Sequence, residues 1–129
     1  MANPNIVNVA SIYAGNAAWA LTTGVTTTLL TVAADVIVKV NSIIATNTHA
    51  TASTALTLDV NGIGTTVTGV TGTSLATTAK IASTVNIPAD DILVVIDKPI
   101  YLMENDILRG GASVNTCDLL VSYEVINDA

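Results

Sequence analysis

Few residues in this chain could do chemistry. Among 129 residues there is one histidine, His49, and one cysteine, Cys117, with ten carboxylates and four basic side chains. His49 sits in the polar run Asn47 to Ser53, with no serine-and-acid pattern or second metal ligand near it in sequence. It reads as a solvated loop residue rather than a general base, which needs a partner within hydrogen-bond reach. Cys117 stands beside Asp118 and lacks the basic neighbour that lowers a thiol pKa, so an inert structural thiol is expected. One cysteine excludes an internal disulfide, and one Cys with one His falls short of a structural zinc site. Asp90-Asp91 could pair for acid-base or metal work, but after Pro88-Ala89 they suit a turn, where Asp side chains bond local backbone. Glu104-Asn105-Asp106 could be a calcium corner. Calcium takes six or more oxygens, which no Asp-rich loop here supplies, so a tight turn with Asn105 in the left-handed region is expected. Asp59 and Asn61 are weaker still as ligands. Gly62, Gly64, Gly69 and Gly72 are not followed by Gly-Lys-Ser/Thr, so no phosphate loop is spelled. Trp19 is the chain's one tryptophan and has no companion aromatics for a sugar platform. Neither an enzyme, a cofactor nor a metal is expected.

The elements that would hold these residues read as strands. The longest apolar run is Ile92 to Ile96, bounded by Pro88-Ala89-Asp90-Asp91 and Asp97-Lys98-Pro99. A short β-branched run between turn signals predicts a strand buried on both faces. Asp35 to Thr46 predicts a second strong strand, with Val36, Val38 and Val40 on one face and Ile37, Lys39 and Asn41 opposite. Further strands are expected over Thr26 to Val32, Thr54 to Val60 (Leu56, Leu58 and Val60 inward), Lys80 to Ile87 and Cys117 to Ile126. In the last, Leu119, Val121, Tyr123 and Val125 share a face. A strand is also expected within residues 3 to 13, with Val7, Val9 and Tyr13 on one face. Ala14-Gly15-Asn16 then reads as a turn, and Ala17 to Leu21 as a short segment that Trp19 anchors to the core. Residues 61 to 79 are rich in Gly and Thr, uncharged, and read as a hairpin or ordered surface loop. Gly110-Gly111 permits a bend or bulge.

No helical period is sustained. Short strands with evenly spaced turn signals predict one all-β domain over residues 1–129, an antiparallel β-sandwich of jelly-roll or Ig-like type with about eight strands. Hydrophobic residues are 50% of the chain but aromatics only 3%, with no Phe, so Val, Ile, Leu and Ala must build the core. Charged residues are 11%, against the roughly 25% of an ordinary domain. So little surface charge leaves two readings, faces buried against other subunits, which is favoured, or a neutral surface coated with Thr. The net charge is −6, and the basic residues Lys39, Lys80, Lys98 and Arg109 are scattered along the sequence, which argues against nucleic-acid binding. Mean hydropathy is +0.63. No apolar window approaches the ~18 residues of a spanning helix, so no membrane partner is expected. The opening MANPNIVNV lacks a basic region followed by an apolar run, so cytoplasmic synthesis is expected.

Three blocks carry a likeness: MANPNIVNVASIY, KIASTVNIPADDILVVIDKPIYLMENDILR and VSYEVIN. They resemble small virion structural proteins of tailed phages, particularly marine cyanophages. The shared pattern runs through Pro88-Ala89-Asp90, Pro99-Ile100-Tyr101-Leu102, Glu104, Asp106, Leu108-Arg109 and Ser122-Tyr123-Glu124. The chain departs from it at Asn105, where the pattern has Gly, and in the length of the Gly/Thr stretch. The resemblance implies a β-sandwich particle protein made in the host cytoplasm, without catalytic residues. Low charge and a small-residue surface fit a capsid decoration (cement) protein. It would bind the major capsid protein as a homo-oligomer, with a trimer favoured, through many weak contacts. The N-terminal arm, about residues 1–8, would cross to a neighbour or the shell. The expected contact residues are Asn3, Pro4, Asn5, Ile6, Val7 and Trp19. A neck, tail or fibre-attachment protein is the alternative within the virion, and a carbohydrate-binding or adhesin module a more remote one.

Overall fold

The computed structural model describes residues 11–64 and 77–127. Among them are nine strands and no helix: β1 (Ser11–Ala20), β2 (Thr28–Thr31), β3 (Val36–Asn47), β4 (Thr54–Asn61), β5 (Thr78–Ile87), β6 (Ile92–Ile96), β7 (Ile100–Leu102), β8 (Ile107–Ala112) and β9 (Cys117–Asn127). One sheet has the order β1-β9-β3-β6, with β7 also on β3; the other runs β2-β8-β4-β5. All pairings are antiparallel. The order is that of one long hairpin, turned between β4 and β5 and then rolled up. The first half of the chain pairs with the second as β4 with β5, β3 with β6 and β7, β2 with β8, and β1 with β9. That winding is a jelly roll, which settles the choice left open between jelly-roll and Ig-like sandwiches. Nine strands stand where about eight were expected. The strand facing β3 is broken by Asp97-Lys98-Pro99 into β6 and β7.

The inner faces follow the alternation. Val36, Val38 and Val40 point inward from β3, Leu56, Leu58 and Val60 from β4, and Leu119 and Val121 from β9. Between Val40 and Ser42 the register of β3 against β9 slips by one residue. Such a bulge exchanges the two faces. Ile43 and Ala45 therefore continue the inner face that Val36, Val38 and Val40 began, and both are wholly buried. Tyr123 and Val125 pack against the core from the far end of β9.

Three expectations fail here. Ala14-Gly15-Asn16 is no turn but the middle of β1, which pairs with β9 over ten residues without a register shift. Gly15 lies opposite Tyr123, and a Cβ there would come within 2.9 Å of the tyrosine ring. The glycine makes room for an aromatic on the neighbouring strand, a use of strand glycine that local sequence does not disclose. Ile92 to Ile96 is not buried on both faces. It is an edge strand with Leu93, Val95 and Ile96 toward the core, while Ile92 and Val94 are 59% and 53% exposed. An unbroken apolar run marks a doubly buried strand only when a second layer covers each face, and no described element covers this outer face. Gly110-Gly111 also makes no bend: both lie within β8. A Cβ on Gly110 would lie 2.6 Å from the Thr57 carbonyl oxygen, and one on Gly111 2.6 Å from that of Gly24. The expected N-terminal strand within 3 to 13 falls outside the described residues up to residue 10, as does most of the Gly/Thr stretch, residues 65–76.

Candidate functional site

Most polar residues that could do chemistry are taken up in holding turns. Asn47, fully buried at the end of β3, donates through Nδ2 to the carbonyls of Ala52, Ile87 and Pro88 at 2.8, 3.1 and 3.2 Å. Its Oδ1 accepts from the His49 amide and the Thr116 hydroxyl, both at 3.0 Å. His49 Nδ1 accepts from the backbone N–H of Thr51 and Ala52 at 3.1 and 2.9 Å. The histidine thus caps the loop it belongs to. Asp91 does what a turn aspartate does, accepting the Ile92 amide at 2.8 Å, while Asp90 is left-handed with φ 54°.

The acidic corner between β7 and β8 is a turn too. Asn105 has φ 65°, as expected, and Gly is the residue that most readily takes that conformation. Glu104, fully buried, accepts the Asp35 amide at 2.9 Å and so ties this turn to the one before β3. Asp106 Oδ2 accepts the Met103 amide at 3.0 Å. Burial raises the Asp106 pKa above the usual carboxylate value, against the lowering effect of that hydrogen bond. Burial likewise raises the Cys117 thiol pKa, with help from the negative charge of Asp118. Among the described residues no group of three or more His, Cys, Asp or Glu could hold a metal ion.

One cluster escaped the sequence reading. On the outer face of the second sheet Arg109, Asp59 and Lys80 form a cross-strand row from β8 through β4 to β5. Arg109 grips Asp59 with Nε to Oδ1 at 2.8 Å and Nη2 to Oδ2 at 3.3 Å, and Lys80 Nζ stands 3.5 Å from Oδ2. Arg109 also donates to the Thr78 hydroxyl at 3.2 Å, which in turn donates to Asn61 Oδ1 at 3.0 Å. Two of the four basic residues, distant in sequence, thus converge on one buried carboxylate. Only the register of three strands reveals this.

Among the described residues, most of the exposed large apolar side chains, Ile12, Ile92, Val94, Tyr101 and Leu120, lie on the outer face of the first sheet. By register, the outer face of the first sheet carries the rows Ala18–Leu120–Ile44–Val94 and Ala20–Asp118–Thr46–Ile92. Next along the strands come Asn16–Ser122–Ser42, then Ala14–Glu124–Lys39–Tyr101 and Ile12–Ile126–Ile37, of which Ile126 and Ile37 are already buried. Leu120 is 45% exposed, between exposed Val94 on β6 and small alanines on β1. The charges on this face are Asp118 and the cross-strand neighbours Lys39 and Glu124. The strand spacing and length give the whole sheet face roughly 600 Å² in projection, of which the end row at Ile126 and Ile37 is already covered. Of the expected contact residues, Trp19 lies on the inner side of β1 and packs against the core, half-buried. It anchors the strand, as expected. Asn3, Pro4, Asn5, Ile6 and Val7 lie outside the described residues.

No family model matches the chain, and no curated protein does. Among solved structures it is similar to the VP2 subviral particle of infectious bursal disease virus, with 15% identity and a TM-score of 0.40. The match covers 91% of this chain and 32% of that one, so the chain spans about a third of that protein's length.

Proposed function

We propose that this chain is a structural protein of a virion, and within it a capsid decoration protein that binds the shell of major capsid subunits. The observation that carries the reading is the outer face of the first sheet, a broad surface of Leu120, Ile44, Val94 and Ile92 with few charges. A small protein in solution gains nothing from such a face, whereas one held against a shell buries it. The chain's low charge and its likeness in sequence to tailed-phage virion proteins support the same reading. Many copies would each add a modest contact, so that the sum stiffens the shell without any single tight site. The N-terminal arm, residues 2 to 8, would cross to the shell or a neighbour. Copies would cluster as trimers, the order expected from the sequence.

The test is co-sedimentation with shells assembled without this protein. Val94→Lys combined with Leu120→Lys alters two exposed side chains, so the circular dichroism spectrum should stay unchanged while binding is lost. Deleting residues 2 to 8 should likewise abolish binding and spare the fold. Full binding by both variants would overturn the reading.

A further inference from the structure

A β-sandwich has exposed strand edges, and an unguarded edge invites another strand to pair with it. Three of the four edges here carry the usual protection. β2 is only four residues long. The β6–β7 edge is interrupted by Asp97-Lys98-Pro99. β5 carries Lys80 and two register shifts against β4, with Thr84 at φ 48°, its amide donating to the Thr57 hydroxyl at 3.2 Å. β1 has none of these devices. It is ten residues long, SIYAGNAAWA, without charge or proline, and it pairs with β9 in unbroken register. No described strand lies on its other side.

We propose that this edge pairs with the same edge of a second copy, antiparallel about a twofold axis normal to the sheet, joining two five-stranded sheets into one continuous sheet. The strand's own residues select a second copy as the occupant. A twofold of this kind keeps core-facing residues opposite core-facing residues, so paired positions must have numbers of the same parity. Two centred registers satisfy that, one with Gly15 on the axis and one with Asn16. The first sets two strand glycines side by side with nothing to pack. The second sets Asn16 against its own copy, Ala14 against Ala18, Ile12 against Ala20 and Tyr13 against Trp19. Aromatic pairs directly across strands are among the stronger cross-strand contacts. Tyr13 supplies the second observation. By alternation it lies on the core-facing side of β1, yet it is 63% exposed, while Trp19 on the same side is half-buried. The partner's Trp19 would cover it. The edge contact is independent of the shell reading: it would join copies in pairs whether or not they sit on a particle.

Cross-linking tests it on the full chain. Directly opposed residues of an antiparallel pair have Cα atoms about 4.5–5.5 Å apart, within the span of a disulfide. Asn16→Cys should therefore form a disulfide-linked pair under mild oxidation, whereas Ala18→Cys, which faces Ala14, should not link to itself. The native Cys117 is buried and does not compete. Asn16→Lys places like charges face to face, and the mass by light scattering should fall to half that of the wild type with an unchanged circular dichroism spectrum. If Asn16→Lys fails to fold, the cysteine pair still decides. A wild type that stays a monomer or a lone trimer across a concentration series overturns the proposal. So does Asn16→Cys without a cross-link, or a folded Asn16→Lys with undiminished mass.

Discussion

Arg109 offers the sharpest test of how the second sheet is held. Asp59 is 1% exposed in its side chain, and Arg109, itself 21% exposed, supplies two hydrogen bonds to it. Arg109→Met keeps most of the aliphatic stem and removes the guanidinium. The carboxylate then stays buried, with only Lys80 at 3.5 Å, and Lys80 is 53% exposed. Stranding one partner of a buried pair costs about 3–5 kcal/mol. The remaining lysine and the partial exposure of Arg109 reduce that to about 2–3 kcal/mol. For a chain of this size the melting temperature should fall by roughly 10 °C, read by circular dichroism and by urea titration. Asp59→Asn should cost less, because the stranded guanidinium can reach water while the stranded carboxylate cannot. The double variant should cost less than the sum of the two, as expected for residues in direct contact. A melting temperature for Arg109→Met within about 2 °C of the wild type, or the reverse order of the two single variants, would refute the reasoning.

Asp106 gives a pH prediction. Its folded pKa is raised by burial, so the folded chain binds the proton more tightly than the unfolded one. The carboxyl therefore favours the fold when protonated, and that contribution is lost as pH rises through the folded pKa. Asp106→Asn, which can still accept the Met103 amide, should remove this dependence: the wild type should gain stability relative to the variant as pH falls through the carboxylate range, in paired urea titrations. At Asn105, φ 65° tolerates Gly but not a β-branched residue. Asn105→Gly should leave stability within about 1 kcal/mol, and Asn105→Val should cost about 1–2 kcal/mol, both by thermal melts. Gly111→Ala should be more damaging than its size suggests. The new methyl would meet the carbonyl oxygens of Gly24 and Thr22 at 2.6 and 2.8 Å, and backbone cannot move aside as a side chain can. Loss of at least 2 kcal/mol is expected.

The jelly roll was legible as an all-β sandwich because its central strands alternate cleanly. Val36-Val38-Val40 and Leu56-Leu58-Val60 announce buried faces wherever their neighbours lie. The turns at Asp90-Asp91 and at Asn105 were legible because their backbone demands are local. What escaped was set by partners far away in sequence. Gly15 reads as a turn residue until Tyr123 is seen beside it. Ile92 to Ile96 reads as doubly buried because apolar composition does not say whether a second layer exists. The convergence of Arg109 and Lys80 on Asp59 depends on the registers of β4 with β5 and β8, which no spacing rule gives. The outer-face rows that carry the functional proposal are likewise a product of register and of the bulge after Val40.

The central claim, a shell-bound virion protein, is tested most directly by counting copies. Quantitative mass spectrometry of purified particles gives the ratio of this chain to the major capsid protein. Near-stoichiometric abundance is the result the account predicts. A handful of copies per particle would place the chain at a neck, tail or fibre and contradict the decoration reading, and its absence from purified particles would contradict the virion role altogether.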